Sequence, residues 1–320
     1  MEAIIERCAG LDVHEKTVVA CIMTGSLKKV PNKETRTFST VTRGLLELAE
    51  WLEENQCTHV AMESTGIYWK PVWNVLESKG LDIALGNAQH VKNVPGRKTD
   101  VKDAEWLAQL LRSGLIEKSF VPMEPIRELR DVTRYRKSIV HEISREKNRM
   151  HKVLQDCNIK LTSFMSDIFG DTGRRILEKI INGEKIELDD LKEVVQGRGK
   201  APLRKKLDDL YEAINGNVRK HHVIMLGLHY EHIAFLEKQL EEVEEQIAEY
   251  IKPKKEEIEI LDSVPGINGK AAAIIVAEMG TDMEQFPSEK HLTSWAGLCP
   301  GNNESAGKKK EQNLKKEIWH

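Results

Sequence analysis

The hydrophobic period of this chain changes once, near residue 125, and that change constrains the architecture more than any other feature. Before it, strand-like runs alternate with helical stripes. Thr17–Met23 (TVVACIM) is a β-branched run suited to a buried strand, flanked by a strand ending near Asp12 and another over 35–41. Gly44–Gln56 carries Leu45, Leu46, Leu48, Ala49 and Leu52 at helical spacing. A strand over His59–Glu63, a helix over Trp69–Ser78, a strand over 81–85 and an amphipathic helix over 100–115 follow. Three hairpin-like strands and then strand–helix alternation predict an α/β domain with a mixed sheet over residues 1–120.

From Pro125 onward the period is 3.6. Leu129, Val132, Ile139 and Ile143 form one stripe, and Ile233, Leu236, Leu240, Val243, Ile247 and Tyr250 recur at spacings alternating between three and four until Pro253. That heptad pattern is short, so it predicts an intramolecular hairpin or a modest dimer contact within a helical region over 121–255. Residues 197–202 (GRGKAP) read as a loop. Residues 256–320 form a third, partly helical C-terminal region. In it Pro265-Gly266-Ile267-Asn268-Gly269 precedes an alanine-rich helix and resembles a helix-hairpin-helix element. Such a turn offers backbone N–H groups to a phosphate, with Gly266, Gly269 and Lys270 as the contacts. Asn268 stands where a second glycine is common and tolerates positive φ. A plain turn between two helices fits those residues equally well.

Composition excludes several classes. Of 320 residues, 40% are apolar and 31% charged, which describes a globular chain with a core rather than a disordered tail. No apolar run reaches the roughly 18 residues of a membrane span, and MEAIIERCAG lacks a signal-peptide layout. A cytoplasmic protein without membrane contact is expected. Five scattered cysteines without a C-x-x-C pair fit neither a disulfide framework nor a zinc site. The net charge of −3 conceals opposed blocks: nine Lys/Arg against four acids over 126–152, and nine Glu against four Lys over 237–259.

Four carboxylates occupy positions suited to metal ligation. Asp12 ends the first strand, Glu63 ends another, and Asp100 and Asp103 stand three apart at a helix start. Hard oxygen donors from several elements suit Mg²⁺, and two such ions can stabilise the attacking and leaving oxygens of a phosphodiester. Each acid alone has an ordinary structural explanation in capping, the helix dipole or a lysine partner. The set of four in one α/β domain does not.

Three motifs carry a resemblance that runs through nearly the whole chain: Ala9-Gly10-Leu11-Asp12-Val13-His14, Met62-Glu63-Ser64-Thr65-Gly66-Ile67-Tyr68-Trp69, and Gly96-Arg97-Lys98-Thr99-Asp100-Val101-Lys102-Asp103-Ala104. In that order they resemble the DEDD transposases of bacterial insertion sequences (the IS one-ten family, relatives of the Piv DNA invertases). The resemblance implies a RuvC-like, ribonuclease-H-type fold for the first domain. It also implies DNA as substrate, a mobile-element origin, and a nucleophilic serine in a second domain, carried over onto Ser305 in Glu304-Ser305-Ala306-Gly307-Lys308. A serine hydroxyl can attack phosphorus and hold the cut strand as a phosphoserine.

On this reading Asp12, Glu63, Asp100, Asp103 and Ser305 are catalytic, and the four acids hold Mg²⁺. Arg97, Lys98, Arg130, Arg134, Arg136, Lys137, Arg145, Lys147 and Arg149 contact nucleic acid, with a structured guide RNA as a second partner and a homo-oligomer as the assembly. The tail Lys309–His320 is expected not to match the family, as in a copy shortened after the serine motif. The alternatives are an inactive nucleic-acid-binding remnant and a RuvC-type metal-dependent nuclease.

Overall fold

The computed structural model describes residues 2–64, 66–94, 102–196 and 200–298, with the backbone of 304–305 and 308–309. The chain divides into two compact units, Met1–Val121 and Pro122–His320.

The first unit runs β1 (Arg7–Val13), β2 (Thr17–Thr24), β3 (Asn32–Ser39), α1 (Thr42–Glu54), β4 (His59–Glu63), α2 (Trp69–Glu77), β5 (Asp82–Gly86), α3 (Ala88–Asn93) and α4 (Asp103–Arg112). The strand order is β3-β2-β1-β4-β5. β1, β2 and β3 pair antiparallel, whereas β4 lies parallel to both β1 and β5. This is the mixed sheet expected from the sequence.

Strand alternation sorts side chains onto two faces. Ala9, Leu11, Val60 and Met62 pack with Leu45, Leu48 and Leu52 of α1 and Val72 and Leu76 of α2. Cys8, Ala61 and Ala84 point the other way and pack with Trp106, Leu107, Ala108 and Leu111 of α4. The β-branched and aliphatic run of β2 is buried as its composition requires.

Gly10 lies on the α4 side. A Cβ there would stand 2.2 Å from the Ala104 carbonyl oxygen and 2.3 Å from the Ala108 nitrogen. The helix backbone therefore rests directly on the strand, an approach only glycine allows. At the far end of α4, the amides of Ile4 and Ile5 donate to the Arg112 carbonyl, so α4 runs antiparallel to β1. The buried Arg112 guanidinium donates to the carbonyls of Glu6, Gly25 and Ser26 and needs no acid.

The second unit runs α5 (Glu124–Asp156), α6 (Asp171–Ile181), α7 (Leu188–Val194), α8 (Ala201–Arg204), α9 (Leu207–Ile214), α10 (Lys220–Ile251), α11 (Lys255–Asp262), α12 (Gly269–Met279), α13 (Glu289–Trp295), β6 (Glu304–Ser305) and β7 (Lys308–Lys309). Pro125 sits in the first turn of α5, where its missing N–H costs nothing. α5 and α10 are antiparallel: Arg136 pairs with Glu244, Lys147 with Glu237, Glu146 with His229 and Asp156 with His222. The sequence stripes meet along this pair, Ile139 and Ile143 against Leu236, Leu240 and Val243.

Helices α6, α7 and α9 enclose a separate core with the ends of α5 and α10, around Leu154, Ile176, Leu177, Leu191, Leu210 and Leu226. The expected loop over 197–202 gives way to α8 at Ala201, with Pro202 in its first turn. Residues 256–298, expected as part of a third region, contribute Ala273, Val276 and Ala277 to a core shared with Ile126, Leu129 and Ile247. Among the described residues, no helix is long and apolar enough to cross a membrane.

Candidate functional site

Three of the four predicted acidic ligands, Asp12, Glu63 and Asp103, lie toward one edge of the sheet. Asp12 is the penultimate residue of β1 and Glu63 the last of β4. Leu11 pairs with Met62 in parallel register, so Asp12 and Glu63 are the next partners along the ladder. By alternation both point to the α4 side, as Gly10 and Ala61 do. Because α4 runs antiparallel to β1, its first residue, Asp103, lies at the same carboxyl-terminal edge.

Three different elements thus deliver three carboxylates to one end of the parallel strands, where open α/β sheets bind their ligands. Glycine 10 sets how closely the third approaches. The second motif continues from β4 through a turn with Gly66 at φ 60° into α2, whose first residue is Trp69.

Asp12 is partly buried, and its Oδ2 lies 3.1 Å from Nε2 of the exposed His14. Asp103 and Glu105 occupy the first turn of α4, where the helix dipole favours negative charge. The N-cap Lys102 makes no side-chain capping bond. The donors of this set are all carboxylate oxygens, a composition that fits a hard divalent cation and excludes a thiolate site. Asp100, Arg97 and Lys98 lie outside the described residues.

Among the described residues, the group of three with donor atoms all within 4.8 Å of one another is a different one: Asp156, His221 and His222. His222 is buried and its Nδ1 accepts the Arg219 amide at 3.2 Å, which leaves the ring proton on Nε2. That Nε2–H donates to Asp156 Oδ2 at 2.7 Å. Nδ1 is thus spent on the N-terminal cap of α10, and Nε2 on joining the start of α10 to the end of α5. The His222 hydrogen bond also lowers the Asp156 carboxyl below its usual value.

The predicted nucleic-acid residues of α5 divide into two sets. Arg134 makes a bidentate pair with Glu278, both bonds 2.9 Å, and Arg130 donates to the Ala277 carbonyl at 3.1 Å and approaches Glu278 at 3.3 Å. Burial lowers the Arg130 guanidinium and the Glu278 bond raises that of Arg134. Arg136 bonds Glu244 at 2.6 Å, and Lys147 lies 3.6 Å from Glu237. These four hold α5 against α10 and α12. Among the described residues, Arg145 and Arg149 pair with Glu142 and Glu146 of their own helix and keep their side chains mostly in solvent; Lys137 is exposed on the same helix.

Residues 255–279 form a helix, a turn and a second helix. Gly266 adopts φ 93° as a tight turn needs. Asn268 does not use its tolerance of positive φ: it is extended, at φ −101°, and its side chain caps α12 by accepting the Ala271 amide at 2.9 Å. Capping by Asn at a helix start outweighs the glycine-like role expected for it. Lys270 pairs with Glu244 at 2.7 Å. Ser305 lies on β6, which pairs antiparallel with β7, with Ser305 opposite Lys308.

Comparisons with known proteins bear on the same segments. A family profile of DEDD transposases of the IS110 group matches residues 9–159, and a second, described as "Transposase IS116/IS110/IS902 family", matches residues 258–318. The second match includes most of the tail from Lys309, which was expected not to match the family. The chain is 30% identical over 155 residues to the transposase for insertion sequence element IS1533 of Leptospira borgpetersenii, covering 48% of this chain and 44% of that relative. It therefore spans less than half the length of the curated relative it matches. Among solved structures, Thermus thermophilus RuvC is similar over 35% of this chain and 99% of RuvC, at 13% identity and a TM-score of 0.28. The same protein in complex with a Holliday junction substrate is similar over 36% of this chain and 100% of that one, at 13% identity and a TM-score of 0.27.

Proposed function

This chain belongs to the IS116/IS110/IS902 family of transposases, and on that premise we propose that it cuts and rejoins DNA of an insertion sequence. The observation that supports the reading is the grouping of Asp12, Glu63 and Asp103, three of the four acids in the three motifs, at one sheet edge. With Asp100 they hold Mg²⁺. Bound there, such ions stabilise the charge that develops on the oxygens of a phosphodiester.

The chain's own groups do the rest. Ser305 is the nucleophile: its hydroxyl gives up its proton as the oxygen bonds to phosphorus, the phosphodiester P–O bond breaks, and the departing oxygen takes up a proton. The strand stays on the protein as a phosphoserine, which conserves the bond for rejoining. Arg97, Lys98, Lys137, Arg145 and Arg149 bind phosphates, in DNA and in a guide RNA, and Gly266 and Gly269 present backbone N–H groups to the same partners.

Incubation with element-end DNA and Mg²⁺, followed by denaturing gels, tests the proposal. It expects a covalent protein–DNA adduct that Ser305→Ala abolishes and that Asp12→Asn, Glu63→Gln and Asp103→Asn each abolish without loss of fold. Cleavage without adduct, unaffected by Ser305→Ala, would make the chain a metal-dependent nuclease. Binding without cleavage would make it a remnant.

A further inference from the structure

The turn that follows β4 leaves two adjacent apolar side chains in water at the edge that carries the carboxylates. Ile67 is 71% exposed and Tyr68 42%. Among the described residues of the first unit, Tyr68 is the one exposed aromatic; the other rings are buried or half-buried. The next residue shows that the chain can bury a ring here. Trp69 packs edge-to-face on Trp73 at 5.9 Å, against the core beneath α1 and α2. A single exposed apolar side chain is ordinary, but an aliphatic and an aromatic one side by side at a charged site are not accounted for by the core.

The backbone holds this pair in place. Gly66 takes φ 60°, which other residues adopt only at a cost. The Lys70 amide donates to the Ile67 carbonyl at 3.2 Å and closes the turn. Cδ2 and Cε2 of Tyr68 lie 3.8 and 4.0 Å from where a Cβ on Gly66 would stand. The ring is therefore folded back over the turn toward Gly66, not laid along α2. Gly66 is separated from Glu63 by at most about 10 Å of extended chain.

The chemistry of the neighbours selects what covers the pair. An apolar protein surface would gain nothing from the carboxylates beside it. A nucleotide uses both features: its phosphate goes to the cations that carboxylates hold, and its base, one sugar away, offers a flat apolar face. Aromatic rings stack on any base, and an aliphatic side chain can wedge between two base steps.

We propose that Ile67 and Tyr68 form a base-stacking ledge: Tyr68 stacks on a nucleobase flanking the scissile phosphate, and Ile67 fills the step opened beside it. The proposal rests on the reading that this edge binds DNA; both residues position the strand and take no part in the bond changes.

Photocrosslinking of the full chain tests it, with Ca²⁺ in place of Mg²⁺ so that no cleavage is needed. Element-end DNA is prepared with one pyrimidine at a time replaced by its 5-iodo analogue, which crosslinks to a stacked ring on irradiation. Mass spectrometry should place the crosslink on Tyr68, from a nucleotide flanking the cleavage point. Tyr68→Ala should abolish it and weaken DNA binding about tenfold, whereas Tyr68→Phe should keep both. Ile67→Ala should weaken binding and lower the crosslink yield. The far-ultraviolet helix signal should not change, because neither side chain belongs to the core. A crosslinked chain that never cuts DNA would overturn the cleavage reading and leave the ledge standing. A chain that cuts DNA, gives no Tyr68 crosslink and binds equally well as Tyr68→Ala would overturn the ledge alone. No binding to DNA would overturn both.

Discussion

Gly10 has no side chain, and the position of Asp103 depends on that. A methyl group there meets backbone atoms of Ala104 and Ala108, which cannot rotate away as a side chain would. Gly10→Ala should cost roughly 2–4 kcal/mol, read by urea unfolding, because α4 must lift from β1. It should also depress metal-dependent cleavage in the surviving folded fraction. Normal cleavage at reduced stability would separate the helix contact from the site. A glycine inside a strand motif was a legible signal of a close neighbour, but not of which one, since the neighbour lies 94 positions later.

Cysteine chemistry at the same scale is also predictable. Burial pushes the Cys8 thiol up to about 12 and the Cys57 thiol up to about 11. Cys8, Cys21, Cys57 and Cys157 are all buried and free. Mass spectrometry after iodoacetamide treatment near neutral pH should find these four unmodified in the folded chain and modified after unfolding. Modification of Cys8 in the folded state would contradict the packing of β1 against α4.

At the level of elements, the opposed charge blocks answer each other in space. Glu237 and Glu244 of the acidic block pair with Lys147 and Arg136 of the basic one, so part of what reads as a nucleic-acid surface is the seam between α5 and α10. The sequence made both blocks visible. It did not make their pairing visible, because the partners are about a hundred residues apart. Glu278 was overlooked for the same reason: one acid near the end of an alanine-rich helix gives no sign that two arginines from α5 close on it.

The seam holds one buried acid whose titration is measurable. Burial raises the Glu146 carboxyl, but the hydrogen bond from His229 at 2.7 Å and the charge of Arg149 more than offset it, and the net shift is downward. A depressed folded value means that Glu146 contributes fully above the ordinary value of 4.5 and loses its contribution as pH falls through the lower folded value. Glu146→Gln should therefore cost about 2 kcal/mol near neutral pH, by thermal or urea unfolding, and less as the medium is acidified. A penalty that stays constant into acid would show that charge is not what Glu146 supplies.

For the whole molecule, the change of period at residue 125 coincides closely with the division into units at Val121 and Pro122. The mixed sheet, α1, α2 and the long α5 were legible because each has a strong apolar period. The short helices α3 and α6 to α9 were not read, because four to eleven residues hold too few turns for a period to stand out. Of the site, the acids were legible as motif residues, but their common edge follows from strand order and from the direction of α4, which composition does not encode.

The central claim is that these acids form one hard-cation site. Anomalous diffraction from a crystal soaked in Mn²⁺, a stand-in for Mg²⁺, measures it directly. A peak is expected at the carboxyl-terminal edge of β1 and β4, with oxygens of Asp12, Glu63 and Asp103 at roughly 2–2.5 Å. A peak held by only one of the three, or found at Asp156 and His221 with this edge empty, would contradict it.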